Sequence, residues 1–237
     1  MKLNASFFLN VTEFSADYRR IFIHVLKEAF KGTEFEPLVL NEKRISKPYT
    51  FSVGFSKIKK VSSEKIIFKN PVYFDFSTPL HTMIAHLYNY IFSLNKRDIA
   101  DLKITQLSLF LPPPRGITSS TVTFKTVGHM VLPKKEDKDM DFEESVKFSL
   151  LAKLKVLHEM FPSFVRISED EINLLRILSH KLESSRVRHY GGFIATCRGY
   201  ITISAPPSVL NFILETGLGI RTGQGFGMVK VVREWEK

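Results

Sequence analysis

The run Pro112-Pro113-Pro114-Arg115-Gly116 constrains this chain more than any other stretch. Proline fixes φ near about −65° and supplies no amide donor, so neither a helix interior nor a paired strand passes through three in a row. The 237 residues divide there into halves of 111 and 126, each long enough to bury a core of its own. Domains are therefore expected at residues 1–111 and 112–237.

Both halves give the same order of elements. Residues 2–11 alternate as a strand does. Ser15, with Asp17 in the first turn, reads as the cap of a helix running to about Lys31, with Ile21, Phe22, Val25, Ala29 and Phe30 as its apolar stripe. Residues 49–58 and 65–76 are rich in aromatic and β-branched side chains and predict two strands. Ser77-Thr78-Pro79 opens a second helix with Leu80, Ile84, Leu87 and Ile91 on one face, and residues 103–111 close the unit as a strand. In the second half, residues 121–132 read as a strand and Asp141-Phe142-Glu143-Glu144 as the start of a helix reaching Met160. Residues 193–204 are a strand, a short helix runs from Ser204-Ala205-Pro206-Pro207 to Gly217, and residues 227–233 form the last strand. One stretch is ambiguous: Ser168 with Glu171 suggests a helix cap, whereas a second unit needs a strand near residues 172–179, and the topology favours the strand. The fold class expected is α+β, two tandem ferredoxin-like βαββαβ domains.

Charge narrows the function classes. Against 24 Asp+Glu stand 34 Lys+Arg, a net charge of +10. The excess is local: residues 43–69 hold eight Lys/Arg and only Glu64, and residues 176–233 hold eight against Glu183 and Glu215. Such windows suit a polyanion, RNA or DNA, through counterion release, and equally a solvated Lys-rich surface. Cys197 is the single cysteine, so a disulfide scaffold and a Cys-rich zinc site are excluded. His81 and His86 are five apart with no carboxylate at ligand spacing, and no metal or cofactor is expected. No signal-peptide pattern or 18-residue apolar run occurs, so a soluble cytoplasmic protein with no membrane role is expected.

Five of the 12 glycines lie in residues 217–227, Gly217-Leu218-Gly219-Ile220-Arg221-Thr222-Gly223-Gln224-Gly225-Phe226-Gly227. A helix C-cap explains one or two of them. The run is neither a phosphate-binding loop, lacking Gly-Lys-Ser/Thr, nor a dinucleotide fingerprint, because Thr222 stands where glycine is required. Exposed N–H groups of Gly219, Gly223, Gly225 and Gly227 beside Arg221 would instead suit an RNA backbone.

The spacing of this loop, followed by Met228-Val229-Lys230-Val231, resembles the signature of CRISPR-associated endoribonucleases that process precursor CRISPR RNA, within the repeat-associated mysterious protein superfamily. Lys47-Pro48-Tyr49-Thr50-Phe51-Ser52 is similar to the stretch between first helix and second strand in archaeal members. The resemblance implies two ferredoxin-like domains and metal-independent cleavage inside each repeat, by attack of a ribose 2′-hydroxyl that leaves a 2′,3′-cyclic phosphate. It also implies a histidine in or after the first helix. Residues 32–46 contain none; Asn41 or Glu42 falls about where one is implied.

Candidate catalytic residues are Lys47, matched by motif as a cation on the scissile phosphate, His24 as substitute histidine, and Tyr49 as a substrate hydrogen-bonding group. Arg20, His24, Lys27 and Lys31 recur at i, i+4, i+7 and i+11 and form a basic helix stripe. Lys27, Lys31, Lys43, Arg44, His129, Arg186, Arg188 and Arg221 are candidate RNA contacts. Arg186, Arg188 and His189 before Tyr190 read either as a basic and aromatic cluster for single-stranded RNA or as a solvated hairpin. Three functions stay open: a repeat-RNA endoribonuclease, a non-catalytic repeat-RNA-binding relative, and a general RNA-binding protein, although neither half shows an aromatic RNP-type motif. The expected partner is CRISPR repeat RNA, with effector-complex subunits or a second copy of the chain as further candidates.

Overall fold

Alternation of Leu3, Ala5, Phe7 and Leu9 toward the interior makes β1 (Lys2–Leu9) a strand with one buried face. The computed structural model describes residues 1–40, 46–94, 102–133, 140–164 and 166–235. After β1 come β2 (Glu13–Ser15), α1 (Arg19–Phe30), α2 (Glu36–Leu40), β3 (Thr50–Val61), β4 (Lys65–Ser77), α3 (His81–Ser93) and β5 (Ile104–Phe110). The strands form one antiparallel sheet in which β1 sits between β4 and β5, while β3 and the short β2 also pair with β4. Phe22, Val25 and Leu26 of α1 and Met83 and Leu87 of α3 share one core with Phe7, Phe51, Phe74 and Phe76. Each such side chain contributes about 1.5–3 kcal/mol by leaving water.

The second half repeats the plan with β6 (Thr121–Thr126), α4 (Phe142–Met160), α5 (Glu169–Asn173), β7 (Arg176–His189), β8 (Gly192–Ser204), α6 (Pro207–Thr216) and β9 (Val229–Glu234). Its sheet order is β7-β8-β6-β9, the ferredoxin-like order met in the first sheet as β3-β4-β1-β5. Val122, Phe124, Ile201, Ile203, Leu150, Leu154 and Ile213 fill its core. The cores touch: Val156 of α4 belongs to the first, and Phe161 stacks on Phe35 at 5.6 Å.

Several local expectations are corrected. Ser15 does not cap α1; it pairs with Lys65 in β2, and Ala16 N–H donates to the Glu64 carbonyl at 2.7 Å. That pairing consumes donors which a helix from Ser15 would leave free, so α1 starts at Arg19 and Asp17 precedes it. A short helix, α2, lies between α1 and β3, where the sequence pattern marks no element. The strand from Thr121 stops at Thr126 because Gly128 turns the chain at φ +84; only isolated bridges continue at Met130 and Val131. At Ser168 both readings hold in sequence. A capping box with Glu171 starts α5, and β7 follows from Arg176, longer than expected. The β7–β8 hairpin closes through Tyr190-Gly191, both left-handed, at φ 50 and 79. Tyrosine in that conformation costs about 1–2 kcal/mol.

Candidate functional site

The glycine-rich loop starts at the C-terminal end of α6, where the Gly217 N–H donates to the Ile213 carbonyl at 2.8 Å. Below it, Lys153 of α4 is 1 % exposed and its Nζ donates to the carbonyls of Gly217 at 2.6 Å and Thr216 at 3.3 Å. Burial drives this amine down to about 7. The loop folds back on itself: Leu218 N–H donates to the Gly227 carbonyl, Ile220 N–H to Val131, and Gly227 N–H to His129, each at 2.8 Å. These amides are satisfied inside the protein and do not face a ligand. The expectation of exposed glycine N–H groups is corrected: Gly225 N–H donates to the Thr222 carbonyl at 3.2 Å, Gly219, Gly223, Gly225 and Gly227 are all buried and allow close packing, and Arg221 alone among the residues selected in the loop is exposed.

What the loop packs against is the first domain. Thr222 Oγ1 donates to the Lys47 carbonyl at 3.1 Å, Thr50 Oγ1 to the Phe226 carbonyl at 3.1 Å, and Arg19 Nε to the Gly225 carbonyl at 3.3 Å. Arg19 is 6 % exposed, with its guanidinium 4.8 Å from the Phe226 ring centroid. A Cβ on Gly223 would lie 2.7 Å from Lys47 Cγ and 3.0 Å from the Tyr49 hydroxyl. Lys47 is therefore held between the glycine loop and α2, where its Nζ donates to the Leu38 carbonyl. Burial, and secondly the charge of Lys27, lower its pKa to about 7.

The other selected residues fall into three groups. His24, with Arg20 and Lys31, is exposed on the outer face of α1 as the periodicity requires, and Lys27 is half-buried on the side nearer Lys47. Tyr49 is corrected: it is 1 % exposed, its ring lies 5.4 Å from Phe76, and burial raises its pKa. It supports the seam under Gly223 and has no face open to substrate. His129 is half-buried, with Nδ1 3.0 Å from Ser185 Oγ and 3.1 Å from Thr196 Oγ1. Burial, then Arg19 and Arg198, hold its pKa down to about 4, so the ring is neutral at pH 7. Lys43 and Arg44, and with them Asn41 and Glu42, lie outside the described residues.

The hairpin cluster splits by strand alternation. Arg186 is exposed, and Arg188 on the same face donates to the Ser63 carbonyl at 2.8 Å. His189 points the other way and is 3 % exposed, which corrects its place in a solvent-facing cluster. Gln224 Oε1 accepts from Arg221 at 3.2 Å and stands 3.1 Å from His189 Nε2, so Nε2 carries the ring proton. Nδ1 then faces Asp17 Oδ1 at 3.5 Å, and neither atom has a hydrogen-bond partner among the described residues. Arg19, Asp17, Gln224 and Lys153 were missed from sequence. Two carried a signal, since Arg19 falls in line with Phe22, Ile23 and Leu26, and Lys153 with Val146, Leu150 and Leu157, each a cation inside an apolar stripe.

Two tandem ferredoxin-like domains, with a glycine-rich loop of the second wedged against the first, define the class of fold and site to which the protein belongs. The family described as "CRISPR associated protein Cas6, C-terminal" matches residues 112–231. The chain belongs to the Cas6 family of CRISPR-associated repeat-RNA processing proteins. A Cas6-related protein from Pyrococcus furiosus is similar at 18 % identity and TM-score 0.72, over 99 % of both chains. An RAMP protein described as binding different RNA substrates gives 16 % and 0.72 over 98 % of this chain and 100 % of its own. A Cas6 product complex gives 12 % and 0.69 with the same coverage. At these identities the likeness shows the fold. None of the curated proteins compared matches the chain. No helix among the described residues is long and apolar enough to cross a membrane.

Proposed function

We propose that this protein binds CRISPR repeat RNA and cleaves its precursor within the repeat, with Lys47 at the cut. The observation that carries the reading is an amine lowered to about 7 by burial and by Lys27, wedged against the glycine loop at the meeting of the two domains. An amine of that pKa exchanges protons readily near neutral pH. In the reaction the ribose 2′-oxygen attacks the adjacent phosphorus in line, the O2′–P bond forms, and the P–O5′ bond breaks. Lys47 as ammonium stabilises the charge that develops on the phosphorane and can hand its proton to the departing O5′. His24, one turn from Lys27 on α1, is the candidate acceptor for the 2′-hydroxyl proton. Arg20, Lys31, Arg186 and Arg221 are exposed cations for the RNA backbone.

Cleavage of cognate repeat RNA in EDTA, with a 2′,3′-cyclic phosphate on the upstream product, is the expected result. A 2′-deoxy nucleotide at the cut site should abolish it, and equal cleavage of that substrate would sink the mechanism. The second reading, a repeat-RNA-binding protein without cleavage, is favoured by one contact: Lys47 Nζ is already engaged by the Leu38 carbonyl. Tight binding with no product over hours would select it.

Gly223 offers a graded test. Its φ is not left-handed, and an added methyl meets side chains only, the Lys47 stem at 2.7 Å and the buried Tyr49 hydroxyl at 3.0 Å. Gly223→Ala should displace the amine and slow cleavage about 10- to 100-fold, while calorimetry shows a change of melting temperature of only a few degrees. An unchanged rate would remove the loop from the positioning of Lys47.

A further inference from the structure

Tyr190 breaks a local rule in the open. The first position of a two-residue turn with both φ values positive favours Asn, Asp or Gly, yet Tyr190 sits there at φ 50 with its residue 53 % exposed. Burial therefore does not account for the strained choice, and such strain concentrates where a side chain is needed for function. Its ring stands edge-on to His189 at 4.6 Å, and the Arg20 guanidinium lies 5.4 Å from its centroid. Phe193 is 64 % exposed and pairs across the strands with Arg188; Arg186 lies on the same face two residues along. Arg20 belongs to the first domain and Arg188 is fixed to it through Ser63, so both domains build this face.

Open ring faces among three arginines fit a strand that offers flat bases and phosphates together. An acidic peptide would satisfy the arginines but leave two exposed aromatic faces without planar partners. The face also continues into the exposed Arg20 and His24 and the half-buried Lys27 along α1, a stripe that leads toward Lys47. We propose that Tyr190 and Phe193, flanked by Arg20, Arg186 and Arg188, form a stacking subsite for unpaired nucleobases of the repeat RNA near the bound cleavage segment. The proposal rests on the reading of the protein as a repeat-RNA binder, and is independent of whether it cleaves.

The test uses the full chain and a repeat RNA carrying 2-aminopurine at successive positions on both sides of the cut. Wild type should quench the probe strongly at one or two adjacent positions. Tyr190→Asn places a residue suited to left-handed φ in the turn, so its melting temperature should equal or exceed that of wild type, while affinity falls about tenfold and the quench at those positions is lost. Phe193→Ser should act in the same direction. Neither should change the slope of log affinity against log salt, whereas Arg186→Gln should lower it by about one unit. Wild-type affinity and an unchanged quench profile in the Tyr190→Asn/Phe193→Ser double variant would overturn the subsite, and would leave this face to a protein partner. Failure of wild type to bind repeat RNA would instead overturn the repeat-RNA reading itself, and the subsite with it.

Discussion

Replacing Lys47 by alanine is expected to slow single-turnover cleavage of the cognate repeat RNA by about 10²- to 10⁴-fold, the range typical for removing a positioned proton-transfer group. Affinity should change by no more than a few-fold, because the main-chain contact from Thr222 to the Lys47 carbonyl survives and the exposed arginines are untouched. The pH dependence is the sharper signature. Burial and Lys27 put the free-protein pKa near 7, and the mechanism uses the protonated form. The pH profile of kcat/KM, which reports free-enzyme groups, should therefore carry a limb that falls as pH rises through about 7. In the complex the phosphate charge favours the ammonium, so the corresponding limb of kcat should lie at higher pH. Lys47→Arg keeps a cation that does not titrate in this range, and the limb near 7 should vanish whatever rate remains. Full activity of Lys47→Ala would end the assignment.

The largest loss of stability is expected at Gly227. Its φ is +75 and an added Cβ would lie 2.1 Å from the Leu218 carbonyl oxygen, a rigid main-chain atom of the same loop. Gly227→Ala therefore meets both a left-handed backbone and a collision that cannot be relieved by turning a side chain. Together these cost about 2–6 kcal/mol, or a fall of roughly 5–20 °C in melting temperature for a chain of this size. The contrast with Gly223→Ala, where the added methyl meets side chains and no main-chain atom, separates the glycine that closes the loop from the one that seats Lys47. A Gly227→Ala protein melting within about 2 °C of wild type would show that the Leu218–Gly227 strap is not needed for the fold.

The repeated βαββαβ plan was legible because period-2 and period-3.6 patterns alternate in the same order on either side of Pro112-Pro113-Pro114. The density of glycine was legible as a requirement, but not its cause. Composition cannot distinguish a loop open to phosphate from one pressed against another domain, since both need bare backbone. The same limit explains Tyr49, whose aromatic strand pattern says that one face is buried without saying which. His189 is a case where finer reading would have served, because alternation from Arg186 and Arg188 already puts it on the opposite face. The lowered pKa of Lys47 had no sequence signal, as it depends on α2 and on Lys27 arriving from separate elements.

The stacking of Phe161 on Phe35 and the placement of Val156 in the first core give the proline run a second meaning. A segment that looks like a tether between two independent modules spans halves already locked together through α4 and the glycine loop. Cutting the chain there should release no freely diffusing half, only a nicked protein whose two fragments co-elute. Each fragment made alone would present the apolar surface that its counterpart normally covers.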